Sequence, residues 1–181
     1  RGLQGIATTH VAYVSDRDRG HIAGSSTIAL AKEVYLSDYD GANPTRLTSV
    51  RSTTCCVAWS SPRALTYVSW QAGWPDIYQL NVAEPAQPQP RPAGSRAWVN
   101  NWSPAWSPDG ARLAFASNRS GNVDLWVVNA DGSGLVNLTN HPSADGAPTW
   151  SPETRPGRYF RLCASLPARR IWFTQRFEWA P

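Results

Sequence analysis

The chain has 181 residues, a formal net charge of +4 at pH 7 and no methionine at any position. This length suffices for one domain with a sizeable core, and no apolar run is long enough to cross a bilayer, so membrane insertion is not expected. The arginines are scattered, whereas a nucleic-acid-binding surface concentrates them on one element with stacking aromatics. The lack of methionine and of a signal-peptide pattern favours a mature product or an internal fragment of a longer protein.

The first segment contains two predicted strands, His10 to Asp16 and Glu33 to Ser37. Gly20 to Lys32 connects them and is rich in glycine and serine, which is typical of a surface loop. The equivalent connection in a later repeat takes four residues, Ser120 to Val123, so we interpret the longer one as an insertion. A phosphate-binding loop would need a glycine-rich turn leading into a helix with a lysine at fixed spacing, and that order is absent.

The second segment begins with two adjacent cysteines, Cys55 and Cys56, before a predicted strand from Val57 to Trp59. With Cys163 the number of cysteines is odd, which does not make a disulfide framework, and no further metal ligand stands at a suitable spacing. A bond between the adjacent pair would close a strained eight-membered ring. We therefore expect structural thiols, one turned into the sheet packing and the other outward. The end of this segment, Ala83 to Gly94, contains four prolines and is expected to form a long solvated turn.

The third segment, Ser103 to Thr139, is the clearest unit and predicts four short strands joined by three turns. Pro108-Asp109-Gly110 has the chemistry of a tight turn, since proline presets φ, aspartate caps the turn and glycine accepts positive φ. One four-stranded sheet is too small to be a domain, so the unit needs neighbours.

Those neighbours come from repetition. Trp106 lies 47 positions after Trp59 and 44 before Trp150, and strand and turn residues recur at similar offsets. A period of 40 to 50 residues with four strands per unit is typical of propeller blades. We predict an all-β, β-propeller fragment of three to four four-stranded antiparallel blades arranged in an open arc. The expected blades span about 10–50, 55–95, 103–140 and 147 onward within residues 1–152, and residues 153–181 form a partial fourth blade or an irregular tail.

The pattern of Ser103 to Gly121, with Trp-Ser-Pro-Asp-Gly followed by Leu-Ala-Phe and Ser-x-Arg-x-Gly, resembles the WD40-like PD40 repeat. It is most similar to the TolB-like C-terminal β-propellers, and the resemblance covers about Gly5 to Pro152. It implies a periplasmic or secreted protein with envelope partners: a peptidoglycan-associated lipoprotein, the Tol membrane components and colicins. It also implies blades or domains missing from this chain. No short motif marks the partner-binding residues of such propellers.

Catalytic chemistry is not predicted. The histidines, His10, His21 and His141, lie in unrelated segments without partners at ligand or triad spacing, and no Gly-x-Ser-x-Gly nucleophile elbow occurs. Each of the turn carboxylates precedes a glycine and is explained by turn chemistry. These are Asp109, Asp131 and Asp145. We expect no metal and no cofactor.

Ten tryptophans are the unusual feature of the composition. Trp59, Trp106 and Trp150 share a repeat position and, with Trp126, are expected to pack between blades. Four others fall at strand ends or in loops, outside the fixed repeat positions: Trp70, Trp74, Trp98 and Trp102. These four are the candidate binding residues for a protein partner or a glycan. Rings that merely cover the stems of short loops are the competing interpretation.

The sequence therefore predicts a non-catalytic propeller scaffold for protein–protein interaction, and similarity to TolB-like propellers implies a component of the Tol–Pal envelope system. Two alternatives stay open. One is the substrate-gating propeller of a prolyl-oligopeptidase-type serine peptidase, and the other is a cell-surface propeller that binds carbohydrate. An upstream α/β domain or a downstream hydrolase domain in the full reading frame would separate them.

Overall fold

The computed structural model describes residues 9–22, 24, 30–90, 99–151, 162–165 and 170–173. Within these ranges the chain forms thirteen β-strands and no helix, arranged as three larger antiparallel sheets and one hairpin. Accordingly, none of the described segments provides a helix that could span a bilayer. The prediction of an all-β fold of antiparallel blades is confirmed.

Blade 1 contains β1 (His10–Ser15), β2 (Glu33–Asp38) and β3 (Thr45–Arg46), hydrogen-bonded in that order. The insertion between β1 and β2 is closed at its base. Ala31 N donates to Gly20 O at 2.6 Å, and an isolated bridge pairs His21 with Leu30. The predicted surface loop therefore begins as a short extension of the β1–β2 hairpin.

Blade 2 contains β4 (Thr54–Ser61), β5 (Ala64–Ser69), β6 (Asp76–Asn81) and β7 (Glu84–Pro90) in sequential order. The prediction of a solvated turn from Ala83 to Gly94 is wrong over β7, which pairs with β6 as the fourth strand. β7 lies at the edge of its sheet, where proline is tolerated because half of the backbone groups need no partner. The remainder of that stretch, 91–94, falls outside the described residues.

Blade 3 contains β8 (Asn101–Trp106), β9 (Arg112–Ser117), β10 (Asp124–Asn129) and β11 (Val136–Asn137), ordered β11-β10-β9-β8. β8 and β11 are therefore the edge strands of this sheet, and β8 is the inner one because it contacts β4 of blade 2. In the β8–β9 turn the Asp109 carboxylate accepts hydrogen bonds from Ser107 Oγ at 2.5 Å and Ala111 N at 3.0 Å. These bonds lower the pKa of Asp109.

A separate hairpin pairs β12 (Leu162–Ser165) with β13 (Arg170–Phe173). Three blades and a hairpin are fewer than the four to eight blades that close a propeller, so the described sheets form an open arc. The assignment of residues 153–181 to a partial fourth blade stays a prediction.

The core lies between neighbouring blades. Tyr67 and Leu65 belong to a cluster that joins blades 1 and 2, and Phe115 and Leu113 belong to a cluster that joins blades 2 and 3. All four side chains are fully buried. Blade 2 is covered on both sides by these clusters, so both faces of its middle strands are buried. In blade 3, Ala114 is also buried, on the face of β9 opposite Phe115.

A buried carboxylate fixes the outer part of blade 3. Asp124, at the start of β10, is fully buried and accepts hydrogen bonds from Ser120 Oγ at 2.6 Å and Asn137 Nδ2 at 3.0 Å. Burial alone would raise the pKa of Asp124, but the hydrogen bonds outweigh it and hold the pKa below its ordinary value. Glu33, the first residue of β2, has the same role in blade 1 and accepts from Thr48 Oγ1 at 2.6 Å.

Candidate partner-binding surfaces

Each blade presents two ends to solvent, and they carry different residues. Because the strands are antiparallel, the β4–β5 and β8–β9 turns lie at one end, and the β5–β6 and β9–β10 turns lie at the other. We call the first the groove end and the second the tryptophan end, since Trp70 and Trp74 lie on the β5–β6 turn.

The β5–β6 turn positions the first two candidate tryptophans. Gly73 N donates to Trp70 O at 2.9 Å, and Gly73 has a φ of +94°, a conformation that glycine adopts without strain. Trp70 is 37% exposed, whereas Trp74 is half-buried. The equivalent turn of blade 3 places Asn118 where blade 2 has Trp70, so an aromatic ring is presented here in place of an amide.

Trp102 is brought to the same region by the junction between blades 2 and 3. Pro75, next to Trp74, accepts a hydrogen bond through its carbonyl oxygen from Asn101 N at 2.9 Å. The Asn101 side chain also donates to Asp76 Oδ1 at 2.9 Å. Because β8 begins at Asn101, Trp102 lies within the strand and not in a loop. Its side chain packs against the core cluster of blades 2 and 3. The solvent-exposed surface of the Trp102 ring is therefore smaller than it would be if the residue lay in a loop.

Of the four candidate tryptophans, the structure thus gathers three at one end of the arc. The fourth, Trp98, lies outside the described residues. Within the group, Trp70 exposes the most ring surface, and Trp102 is the most closely tied to the core. Their role as binding residues stays a prediction.

An arginine is held in a fixed position at the same end of the blades. Arg119, on the β9–β10 turn, lies over the rings of Phe115 at 5.2 Å and Trp126 at 5.1 Å. Its Nη2 donates to Asn101 Oδ1 at 2.9 Å, and its Nε donates to Ser117 Oγ at 3.0 Å. The tryptophan end therefore combines indole rings with a positioned arginine, the residue types that are enriched at the centres of protein interfaces.

The groove end contains a cavity of about 550 Å³ that sequence reasoning missed. It is lined by the first residues of β1 and by the Trp-Ser segments of two successive repeats: Thr9, His10, Trp59, Ser60, Ser61, Pro62, Trp106, Ser107 and Pro108. The repetition of Trp-Ser before the turn was the available signal, since equivalent turns of adjacent blades lie side by side. The close approach is visible at Gly110, where an added Cβ would lie 2.8 Å from Ser60 O.

The repeat tryptophans do not all occupy equivalent environments. The indole Nε1 of Trp106 donates to Thr66 Oγ1 of the preceding blade at 3.1 Å, and that of Trp150 donates to Ala105 O at 2.8 Å. These two follow the expected inter-blade role. Trp59 does not, because it is 37% exposed and borders the groove. Its expected burial between blades is therefore corrected.

A smaller cavity of about 230 Å³ lies beside the β1–β2 insertion and is lined partly by charged groups. Asp18 and Arg46 pair across it at 2.6 Å between Oδ2 and Nη1. The nearby Tyr35 hydroxyl and the hydrogen bond from Arg46 lower the pKa of Asp18. Asp18 and Arg46 thus neutralise each other at this cavity.

Catalytic and metal chemistry find little support in the described part of the chain. No group of three or more His, Cys, Asp or Glu side chains there could hold a metal ion. His10, one of the three histidines, lies 3.7 Å from Asp38 at the surface, between Nε2 and Oδ1. Both side chains of this pair lie at the surface.

Comparison with known proteins gives consistent matches. Residues 1–159 match the family model described as the TolB beta propeller domain. The Tol-Pal system protein TolB of Anaeromyxobacter dehalogenans is 36% identical over 119 residues, which cover 65% of this chain and 26% of that protein. The chain therefore spans about a quarter of the length of this relative.

Solved structures agree on the fold. The crystal structure of TolB from Acinetobacter baumannii superposes with a TM-score of 0.71 and 20% identity, covering 96% of this chain and 40% of that one. A puromycin-hydrolyzing peptidase of Mycobacterium tuberculosis superposes with a TM-score of 0.58 and 18% identity, covering 92% of this chain and 27% of the peptidase chain. At these identities both matches speak for the fold alone.

Proposed function

This chain belongs to the TolB β-propeller family, and we propose that it is part of a non-catalytic protein-docking module of a Tol–Pal envelope system. The observation that carries the proposal is the family match over residues 1–159, together with relatives named Tol-Pal system protein TolB. We further propose that the protein acts in the periplasm and that its partners include a peptidoglycan-associated lipoprotein and the Tol membrane components.

The tryptophan end supports a docking role. Trp70 presents an exposed indole, Trp74 a second, half-buried one, and Arg119 a fixed guanidinium. These groups offer large rigid contact surfaces at a low cost in side-chain entropy. Rings of this kind commonly anchor a partner, and the polar groups around them define its orientation. We propose that this end, with Trp98 and Trp102 contributing, contacts the protein partner.

The test uses two tryptophans with equal exposure at opposite ends of the same blade. Trp70 and Trp59 are both 37% exposed, so alanine replacements remove similar surfaces. Binding of the soluble domain of the organism's peptidoglycan-associated lipoprotein is measured by isothermal titration calorimetry. Trp70→Ala is expected to raise Kd about thirtyfold, the effect of losing a hot-spot side chain worth about 2 kcal/mol. Trp59→Ala is expected to leave Kd unchanged.

Each other outcome has a definite meaning. A loss of binding with Trp59→Ala alone moves the docking site to the groove end and contradicts the assignment to the tryptophan end. Wild-type protein that does not bind the lipoprotein contradicts the proposed partner. Melting curves of both variants should match the wild type, since a lowered melting temperature would show damage to the fold instead.

Two further assays test the alternative functions, carbohydrate binding and peptide hydrolysis. Binding of soluble oligosaccharides that is lost with Trp70→Ala would favour a carbohydrate-binding propeller. Hydrolysis of proline-containing peptides by the full-length protein would favour the peptidase. The structural likeness to the puromycin-hydrolyzing peptidase does not by itself favour that activity, because its identity of 18% speaks only for a shared propeller fold.

A further inference from the structure

Two consecutive cysteines lie on β4, the innermost strand of blade 2. In a regular strand, residues i and i+1 point to opposite faces of the sheet, so adjacent thiols stay apart. Here both cysteines are free, yet their Sγ atoms lie 2.6 Å apart. The reason is the backbone of Cys56, whose φ of +60° turns its side chain toward that of Cys55. The sequence predicts one thiol in the sheet packing and the other outward; Cys55 and Cys56 do have these surroundings, but their sulfur atoms lie in contact.

This backbone conformation belongs to the repeat and does not depend on the cysteines. Ser103 in β8 and Ala147 before Trp150 have φ values of +54° and +51°, and like Cys56 they stand three residues before the repeat tryptophan. The strand pairing of β4 is interrupted after Cys55 and that of β8 after Trp102, which marks the same β-bulge. The same β-bulge therefore occurs in blade 3 without a cysteine, whereas in blade 2 it brings Cys55 and Cys56 together.

The two thiols have different surroundings. Cys55 is half-buried and packs against the core cluster of blades 2 and 3, whereas Cys56 is exposed. The hydrogen bond from Cys55 and, more weakly, one from the Ser103 N–H together lower the pKa of Cys56 to about 7, although partial burial opposes them. The pKa of Cys55 is raised by its hydrogen bond to Cys56 and by burial, with Lys32 acting weakly in the opposite direction. One thiol is therefore an accessible nucleophile and the other keeps its proton.

We propose that Cys55 and Cys56 form a reversible oxidation site, a vicinal dithiol that a disulfide oxidant converts into a Cys55–Cys56 disulfide. The Cys56 thiolate attacks one sulfur of the oxidant R–S–S–R, which forms a mixed disulfide and releases one thiolate. Cys55 then loses its proton, and its sulfur attacks Cys56 Sγ, which releases the second thiolate. The protein dithiol loses two electrons and two protons, and the oxidant is reduced to two thiols.

The second step is helped by the first. While Cys56 is a thiolate, it accepts the hydrogen bond that holds the proton on Cys55. Once Cys56 is in a mixed disulfide it carries no charge, so that cause of the raised Cys55 pKa disappears and Cys55 is deprotonated more readily. The short distance between the two Sγ atoms leaves little movement for ring closure.

The product is expected to be easily reduced. Consecutive Cα atoms are about 3.8 Å apart, below the range of about 4.4–6.8 Å that spans most disulfides. Strained and exposed disulfides have higher reduction potentials and are the labile ones. The site therefore differs from a permanent structural crosslink, and both of its states are accessible under mild conditions.

The experiment treats the purified protein with glutathione disulfide and follows its intact mass. A Cys163→Ser background removes the third cysteine from the reaction. We expect a loss of two hydrogen atoms, a peptide map that locates the link between Cys55 and Cys56, and full recovery of the mass with dithiothreitol. An unchanged mass, or a glutathione adduct that persists on the protein with both cysteines present, would overturn the proposal.

Two single variants assign the roles. Cys55→Ser is expected to stop at a stable glutathione adduct on Cys56, since the resolving thiol is gone. Cys56→Ser is expected to react far more slowly, because the remaining thiol is half-buried and burial still raises its pKa. Equal rates for the two variants would contradict the assignment of Cys56 as the nucleophile.

A measurement on the unsubstituted pair covers the case in which these variants fold poorly. Alkylation of native Cys56 by iodoacetamide should have its pH midpoint near 7. At pH 7 it should proceed about threefold faster than in the denatured chain, since about sixteenfold more thiolate is partly offset by its lower nucleophilicity. A midpoint above about 8.5, the ordinary thiol value, would argue against an activated Cys56.

Discussion

Replacing Asp124 with alanine is the sharpest test of how a blade is held together. The carboxylate is fully buried and accepts hydrogen bonds from Ser120 Oγ at 2.6 Å and Asn137 Nδ2 at 3.0 Å, with longer contacts at 3.4 Å from Thr139 Oγ1 and His141 N. A hydrogen bond to a charged group contributes about 1.5–3 kcal/mol, and such contributions within one network do not add fully. Because part of the donors can rehydrate, Asp124→Ala is expected to lower the free energy of unfolding by about 2–4 kcal/mol.

The measurement is urea unfolding followed by far-UV circular dichroism, supported by thermal melts. For a chain of this size a loss of about 3 kcal/mol corresponds to a decrease in Tm of about 6–12 °C. Asp131→Ala is the matched control. That carboxylate also accepts two hydrogen bonds, from Ser133 N at 2.9 Å and Ser133 Oγ at 2.7 Å, but it lies in an exposed turn. Its removal should hardly move the melting curve.

The same residue predicts an acid limb in the stability profile. The pKa of Asp124 in the folded protein lies below its ordinary value. Its stabilisation is therefore present above the unfolded pKa of about 3.9 and is lost as pH falls through the lower folded value. Asp124→Asn should flatten this limb, although Asp109 and Asp131, whose pKa values are also lowered, leave some slope. An Asp124→Ala variant as stable as the wild type, or a control that loses as much, would refute the reasoning.

Two further predictions concern the contacts between blades. Trp106→Phe removes the indole donor to Thr66 at 3.1 Å and should cost about 1 kcal/mol more than Trp59→Phe at the equivalent but exposed repeat position, measured by urea unfolding. A double-mutant cycle with Thr66→Val should recover that difference, and additive effects would show that the bond contributes nothing. Gly110→Ala combines a φ of +68° with a backbone oxygen of the neighbouring blade 2.8 Å from the new Cβ, so its melt should fall further than that of Gly41→Ala. Gly41 has a φ of +84° and no atom close to the position of an added Cβ, so its replacement costs only backbone strain, about 1 kcal/mol. Equal losses of stability at the two glycines would contradict a steric role for the contact between Gly110 and Ser60.

The sequence by itself determined the architecture of this protein. Strand alternation, the Pro108-Asp109-Gly110 turn and the recurrence of tryptophan at intervals of 47 and 44 positions are local or periodic signals. Each corresponds to a strand, a turn or a blade in the structure. Such signals can be recognised in the sequence because each depends on neighbouring residues or on a regular spacing. The family resemblance rested on the same residues and was confirmed by the match over 1–159.

The contacts of individual residues were decided by the tertiary structure alone. The prolines of β7 are compatible with a paired strand only because that strand lies at the edge of its sheet. Trp59 and Trp106 share a repeat position and both border the groove, yet Trp59 is exposed there whereas the Trp106 indole bonds to the preceding blade. Cys55 and Cys56 meet because the inner strand carries a bulge, and Asp124 becomes a buried acceptor because Asn137 and Thr139, from a later segment, donate to it. Contacts of this kind join residues far apart in the chain or depend on a single backbone angle, and no local pattern records either.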